Sequence, residues 1–278
     1  KLCAGEHWKP FFFRTGKFRV VRVDRCGVND KVDARNDIFR LLAVENLCAK
    51  RSQVAGQVTF FCIGTGNEAA SAGHTSGRII SEGEETIQLA IQSRQSSISI
   101  QIWKEYTDQI EISIINPSGV RVGPVPEILG PHRFRIGQTE ILLYYGEPSP
   151  YSISQEIYID LLPVESYLTE GIWRIVLSAG KIVTGQYEMW LPSDNVLNRG
   201  TGFLFPTDAT TLTIPSSASR AISVGAYDAR TFAYADFSGR GFTRLTNMVK
   251  PDLVAPGVEV MTTTVGGGYA AFTGTSFA

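Results

Sequence analysis

The chain has 278 residues, 43% of them apolar and 19% charged, with a formal net charge of -1. That is room for one large domain or two ordinary ones, with the composition of a soluble globular protein that buries a real core. Four cysteines without a CxxC pair, and no apolar run near the roughly 18 residues of a membrane span, exclude a zinc or redox site of that kind, a disulfide scaffold and a spanning helix.

The small net charge hides an asymmetry. Residues 1–62 carry 12 Lys+Arg against 6 Asp+Glu, and the remainder carries 14 against 21. The basic residues are scattered rather than run together, so no nucleic-acid partner is expected. All four cysteines (Cys3, Cys26, Cys48, Cys62) fall in the same first stretch. The chain opens on Lys1 without a signal peptide and stops at Ala278 in the middle of a motif, so both true termini are expected to lie elsewhere.

Taken in chain order, Phe18 to Val23 reads as a short strand. Ile38, Leu41, Leu42, Val44, Leu47 and Cys48 recur at helical spacing, which predicts a helix over residues 34–50. Val58 to Ile63 is a continuous β-rich apolar run, as a strand buried on both faces would be. Strand, helix, strand in that order predicts a parallel α/β unit, in which functional groups gather beyond the carboxyl ends of the strands. Gly64-Thr65-Gly66-Asn67 follows the strand and would sit at such an end.

From about residue 84 to 192 the texture changes to short alternating runs. Ile98, Ile100 and Ile102 oppose Ser97, Ser99 and Gln101, and Ile110, Ile112 and Ile114 alternate with Glu111 and Ser113. Further runs are Glu140–Tyr145, Glu156–Leu162, Ile172–Leu177 and Gln186–Leu191, separated by turn signals such as Asn116-Pro117-Ser118-Gly119. This spacing predicts an antiparallel β-sandwich or jelly roll. After residue 200 the α/β texture returns, with Ala221 to Ala226 as an apolar strand. The expected organisation is therefore an α/β domain in two segments, 1–83 and 193–278, interrupted by a β-domain over 84–192.

The chemistry concentrates in the last stretch, Phe272-Thr273-Gly274-Thr275-Ser276-Phe277-Ala278. A serine nucleophile needs an exposed hydroxyl in a tight turn leading into a helix, where free N–H groups and the dipole favour developing negative charge. Gly274 allows that turn. By itself Gly-Thr-Ser is a common loop tripeptide. Here it follows Ile222-Ser223-Val224-Gly225-Ala226-Tyr227, Phe237-Ser238-Gly239-Arg240-Gly241 and Lys250-Pro251-Asp252-Leu253-Val254-Ala255-Pro256-Gly257 in order.

This ordered series resembles the carboxyl-terminal half of the catalytic domain of subtilisin-like serine proteases (subtilases, peptidase family S8). Gly66-Asn67 resembles a further block of that family. The resemblance implies a subtilisin-like parallel sheet with helices, incomplete here, and a serine endopeptidase working through an acyl-enzyme. Ser276 is then the nucleophile, Asn67 the oxyanion-hole donor, and Gly64, Thr65 and Gly66 bind substrate. It implies a protein or peptide substrate and no cofactor for the chemistry; family members often hold a structural calcium, but no loop of this sequence is assigned to one, and no metal ligands are named. The β-domain is similar to the jelly-roll insertion of subtilases from spore-forming bacteria, which implies a secreted, cell-envelope or spore-associated setting.

Two family features have no match. The catalytic Asp and His should lie upstream of Asn67 in an Asp-(Ser/Thr)-Gly turn and a His-Gly-Thr-His-like string. The three histidines are His7, His74 and His132, and none has that context; His74 reads as a loop residue. Asp24 and Asp30 also lack the turn. The strand Arg19–Asp24 does not resemble the family's cleft wall, which raises a divergent or frame-disrupted segment over residues 1–61. A serine without its base is a poor nucleophile, so this chain alone is expected to be inactive. The alternative is a catalytically dead pseudoprotease or scaffold with a β-sandwich binding module. The β-domain's aromatics, Trp103, Tyr106, Tyr144, Tyr145 and Trp173, are read first as core and second as a binding surface.

Overall fold

A computed structural model describes residues 61–147, 152–193, 196–244 and 247–278, with the backbone of two short strands before them. Those are β1 (Arg19–Val20) and β2 (Thr59–Phe60), a parallel pair, followed by β3 (Cys62–Gly64). A long run of strands comes next: β4 (His74–Arg78), β5 (Glu84–Ile91), β6 (Ile98–Glu105), β7 (Ile110–Ile115), β8 (Arg121–Val125), β9 (Gly130–Ile136), β10 (Thr139–Tyr145), β11 (Ser154–Pro163), β12 (Gly171–Ala179), β13 (Gln186–Trp190) and β14 (Gly202–Phe203). The chain closes with β15 (Ile222–Asp228), β16 (Ala233–Tyr234), β17 (Gly241–Phe242), β18 (Val249–Lys250), β19 (Leu253–Pro256), β20 (Val260–Thr263) and β21 (Tyr269–Phe272). It divides into two compact units, residues 71–207 and residues 1–70 with 208–278.

In the unit 71–207 two antiparallel sheets share one core. Their strand orders are β4-β13-β6-β11-β10-β9 and β14-β5-β12-β7-β8. The pattern that forms them is period two. Along β6, Ile98, Ile100 and Ile102 are at most 1% exposed, while Ser99, Gln101 and Trp103 face the other way and are half-buried. β10 and β11 repeat this with Ile141 and Leu143 against Ile157 and Ile159. The aromatics divide between the two readings. Trp173 and Tyr145 fill the core, whereas Trp103 and Tyr144 stand on the opposite face of their sheet.

Two ionised groups are built into this sandwich. Lys104 lies on the inward register of β6, so its stem packs in the core. Its ammonium donates to the Asp108 carbonyl at 2.5 Å and reaches Glu127 Oε1 at 3.1 Å. Burial pushes the Lys104 amine down, and Glu127 opposes that shift. Glu127 also accepts from the Ile110 N–H at 3.0 Å. Asp108 collects the N–H groups of Val183, Thr184 and Gly185 and the Thr184 hydroxyl, at 2.6–2.9 Å. Burial alone would raise its carboxyl, but these four donors outweigh it and hold it below the usual range.

The expectation of an α/β sheet with helices is overturned. Among the described residues there is no α-helix, and parallel pairing is confined to short ladders: β1 with β2, and β15 with β3 and β19. The remaining ladders are antiparallel. The physical reason is in the connections. From β15 to β19 the chain runs through Ser238-Gly239-Arg240-Gly241 and makes the strand pairs β15–β16 and β17–β18, with no apolar stripe of helical length to bury. Residues 208–221 are similarly rich in Thr and Ser, and Ser216 bonds back to the Thr213 carbonyl as a turn. The helix predicted over 34–50 lies outside the described residues, as do Asp24, Asp30 and His7.

Removing Glu127 would leave a buried ammonium without its counter-charge, so Glu127→Ala should lower unfolding stability by about 3–5 kcal/mol. Lys104→Met together with Glu127→Ala should recover much of that loss in urea unfolding. Asp108 has a lowered carboxyl, so its stabilisation is complete above the unfolded value of about 3.9 and fades as pH falls through the lowered folded value. The urea midpoint of the wild-type chain should therefore drop below about pH 4. In Asp108→Asn that acid dependence should shrink, at a cost of about 1–3 kcal/mol at neutral pH.

Candidate active site

Every residue of the site lies in the unit formed by 1–70 and 208–278. β3 pairs in parallel with β15, Cys62 beside Ile222 and Gly64 beside Val224. Beyond its carboxyl end Thr65 continues the ladder, its N–H bonded to the Val224 carbonyl at 3.1 Å. The Thr65 side chain is wholly buried. Its hydroxyl lies 3.2 Å from Ser238 Oγ, which donates to the Tyr234 phenol at 2.9 Å. Tyr234 donates in turn to the Gly239 carbonyl, and Ser238 Oγ accepts from the Ala226 N–H. This hydroxyl chain fixes the strand end from behind.

Gly66 turns the backbone at φ +97°, where a side chain would collide with Thr213 at 2.4 Å. The turn leaves Asn67 exposed and directs its carboxamide towards the carboxyl-terminal loop. There the hairpin β20–β21 ends and Gly274 bonds back to the Gly257 carbonyl at 2.8 Å. The two segments meet through Thr275. Its backbone N–H and its hydroxyl both donate to Asn67 Oδ1, at 2.9 and 3.1 Å. The same hydroxyl accepts from the Gly66 N–H at 3.1 Å.

This bonding settles the Asn67 amide. A backbone N–H can only donate, so the atom facing Thr275 is the oxygen and Nδ2 is at the other end of the group. The nitrogen lies beside Gly274, where a Cβ would come within 3.2 Å of it. Ser276 follows in a single turn, closed by the Phe277 N–H on the Gly274 carbonyl at 3.0 Å, and is exposed while Gly274 and Thr275 are buried. Gly64 completes the fit, since a Cβ there would stand 2.6 Å from the Thr275 carbonyl oxygen. The structure thus brings together Gly64, Thr65, Gly66 and Asn67 with the turn that carries Ser276. Thr275, the residue that joins them, was missed by sequence reading; its signal was its place inside Gly-Thr-Ser.

The Lys-Pro-Asp block also has a physical role. Lys250 is buried and donates to the Ala221 carbonyl at 2.8 Å and to Asp252 at 2.6 Å. Asp252 takes the Ser223 N–H and hydroxyl at 2.7 and 2.9 Å. Burial would raise the Asp252 carboxyl, but Lys250 and Ser223 outweigh it and hold it low. The strand β15, which carries the site from one side, is anchored by this cluster.

No histidine stands among the described residues of this unit. His74, read as a loop residue, is instead on β4 in the other unit, buried and stacked on Trp190 at 4.6 Å. His132 lies on β9 of that same unit, with Nε2 2.8 Å from the Ile128 carbonyl. Among the described residues no three His, Cys, Asp or Glu side chains cluster to hold a metal, and no helix is long and apolar enough to cross a membrane.

Comparison with known proteins agrees with these elements. The model of the subtilase family matches residues 174–278. Among solved structures the chain is similar to the CspB protease of Clostridium perfringens, at 29% identity and a TM-score of 0.79, over 93% of this chain and 52% of that one. The chain therefore spans about half the length of that relative. No curated protein sequence matches it. Residues 174–278 are thus similar to subtilases, and the similar solved structure is that of a protease. The chain is subtilase-like.

Thr275→Val should leave Gly66 N–H without its acceptor and take away one of the two donors to Asn67 Oδ1, at a cost of about 1–3 kcal/mol. Gly64→Ala should cost a similar amount, about 1–3 kcal/mol, by forcing the Thr275 carbonyl away. In both variants amide hydrogen exchange should accelerate at Gly66 and Thr275 before it does in the sandwich strands.

Proposed function

We propose that this chain is part of a serine endopeptidase that cleaves peptide bonds through an acyl-enzyme. Ser276 Oγ attacks the scissile carbonyl, and its proton passes to a histidine supplied by polypeptide outside this chain and oriented by an aspartate also outside it. The carbonyl oxygen becomes an oxyanion, which accepts from Asn67 Nδ2 and the Ser276 backbone N–H. Collapse of the tetrahedral intermediate expels the leaving amine, which takes the proton back from the histidine. Water then hydrolyses the ester. Gly64, Thr65 and Gly66 form the backbone wall along which the peptide lies.

The observation that carries this reading is the orientation of Asn67. Its oxygen is consumed by two donors from Thr275, so the group presents an uncharged N–H donor beside the serine turn. A donor held in place before the charge develops needs no reorganisation at the moment of reaction. The competing reading, a pseudoprotease that keeps the fold, is favoured by one observation: no His or Asp of this sequence lies in the family's catalytic context.

Sequencing the gene on both sides of this segment separates the two readings. An in-frame Asp-(Ser/Thr)-Gly and His-Gly-Thr upstream would support the enzyme; an uninterrupted gene without them would establish the pseudoprotease. In the completed polypeptide, Ser276→Ala should abolish hydrolysis of a peptide ester. Asn67→Leu should lower kcat roughly a hundred- to a thousand-fold with KM little changed, a range that itself comes from a subtilisin. The 278-residue chain alone should hydrolyse casein only at background. Clear hydrolysis removed by Ser276→Ala would overturn that part.

A further inference from the structure

The hairpin that joins β15 to β16 carries a residue that does little for the fold. Register pairs Tyr227 with Tyr234 and Asp228 with Ala233, so Ala229-Arg230-Thr231-Phe232 is a four-residue loop. Its last residue turns the chain back at φ +56°, in the left-handed region. Glycine and asparagine suit such a position, and a bulky side chain there is strained. Phe232 occupies it, and its ring is 81% exposed. Among the described residues no aromatic side chain is more exposed. Burial therefore does not offset the backbone cost.

The loop is held in one geometry all the same. The Phe232 N–H donates to the Asp228 carbonyl at 2.8 Å. The Asp228 carboxylate accepts from the Arg230 N–H at 2.9 Å and from its guanidinium at 3.2 Å. That guanidinium also donates to Glu259 at 2.7 Å. The Glu259 N–H in turn donates to Thr273 Oγ1 at 3.0 Å, just after β21 and three residues before Ser276. Phe232 stacks on Tyr227 with ring centroids 6.2 Å apart. Tyr227 is two hydrogen bonds from the serine turn. Its carbonyl accepts from the Gly257 N–H at 3.0 Å, and the Gly257 carbonyl accepts from the Gly274 N–H at 2.8 Å. β3 and β15 are parallel, so this strained, exposed ring stands at the end of the sheet where Asn67 follows β3.

We infer that Phe232 is a specificity-determining residue, which with Tyr227 holds an apolar side chain of an extended polypeptide substrate at a position removed from the scissile bond. This rests on the reading of the serine turn as that of an endopeptidase. Strain maintained by the surrounding structure at an exposed position, with no return in burial, points to contact with another molecule. The ring projects from a hairpin tip and lines no concavity, so it cannot enclose a small ligand. It suits a chain that crosses several points of the surface and uses one ring as an anchor, as aromatic residues serve in the cores of protein interfaces. The loop is already ordered, so engaging it costs little further entropy.

The test titrates the 278-residue chain into fluorescein-labelled β-casein, an unfolded polypeptide rich in apolar side chains, and reads anisotropy. Saturable binding is expected. Phe232→Gly should weaken it at least about tenfold, and Phe232→Tyr should stay within about twofold of the wild type. Phe232→Gly should leave the urea midpoint unchanged or raise it, because glycine accepts the left-handed turn. In the completed polypeptide the same substitution should raise KM for casein about tenfold while kcat and the hydrolysis of a short peptide ester stay as in the wild type. Absence of saturable binding, equal binding by Phe232→Gly, or a lowered urea midpoint in that variant would overturn the inference. So would a wild-type chain that sediments as a dimer and a Phe232→Gly chain that sediments as a monomer, with casein bound by neither. The binding arm does not depend on catalysis. Casein held through Phe232 by a polypeptide that hydrolyses nothing would uphold the contact and reject the endopeptidase; casein hydrolysis indifferent to Phe232→Gly would do the reverse.

Discussion

Everything proposed for the active site depends on one side chain, the hydroxyl of Thr275. It accepts from Gly66 N–H and donates to Asn67 Oδ1, joining segments 209 residues apart in the sequence. A hydroxyl suits this because it can do both at once, as a carboxylate or ammonium could not. The consequence is directional. With the oxygen of Asn67 engaged, the nitrogen is the end that remains to face the serine turn. Two glycines permit the approach: Gly66 by adopting a left-handed turn, and Gly64 by leaving space for the Thr275 carbonyl.

The clamp can only work if both segments are presented by a frame that does not shift. On one side this is the Thr65–Ser238–Tyr234 hydroxyl chain under the strand end. On the other it is Lys250, whose ammonium ties the Ala221 carbonyl to Asp252 and through it to Ser223. Both are buried polar networks in which each observed group has a partner, and such networks specify one geometry because a half-satisfied alternative would be costly. The sandwich uses the same device for its own ends. Lys104, Glu127 and Asp108 bind the loops at the rim of the two sheets.

The two faces of the six-stranded sheet show how one alternating sequence can carry two properties. Period two sends isoleucine and leucine inward, where they stabilise the unit by burial. It sends Trp103, Tyr144, Tyr158 and Trp190 to the opposite face, where they are half-buried.

The sequence by itself determined the strands of the sandwich and the order of the blocks that hold Asn67 and Ser276, because alternation and turn residues are local signals read within a few positions. Glu140–Tyr145 and Gln186–Leu191 became β10 and β13 nearly as written. It misjudged the architecture around the serine, where an expectation of helices met connections built of glycine, serine and threonine that turn instead. Tertiary structure alone decided the rest. Whether Trp173 or Trp103 lies in the core depends on which face of which sheet meets a second sheet. That Thr275 orients Asn67 depends on a contact between the two ends of the chain, and no local pattern encodes a hydrogen bond that forms only when distant segments meet.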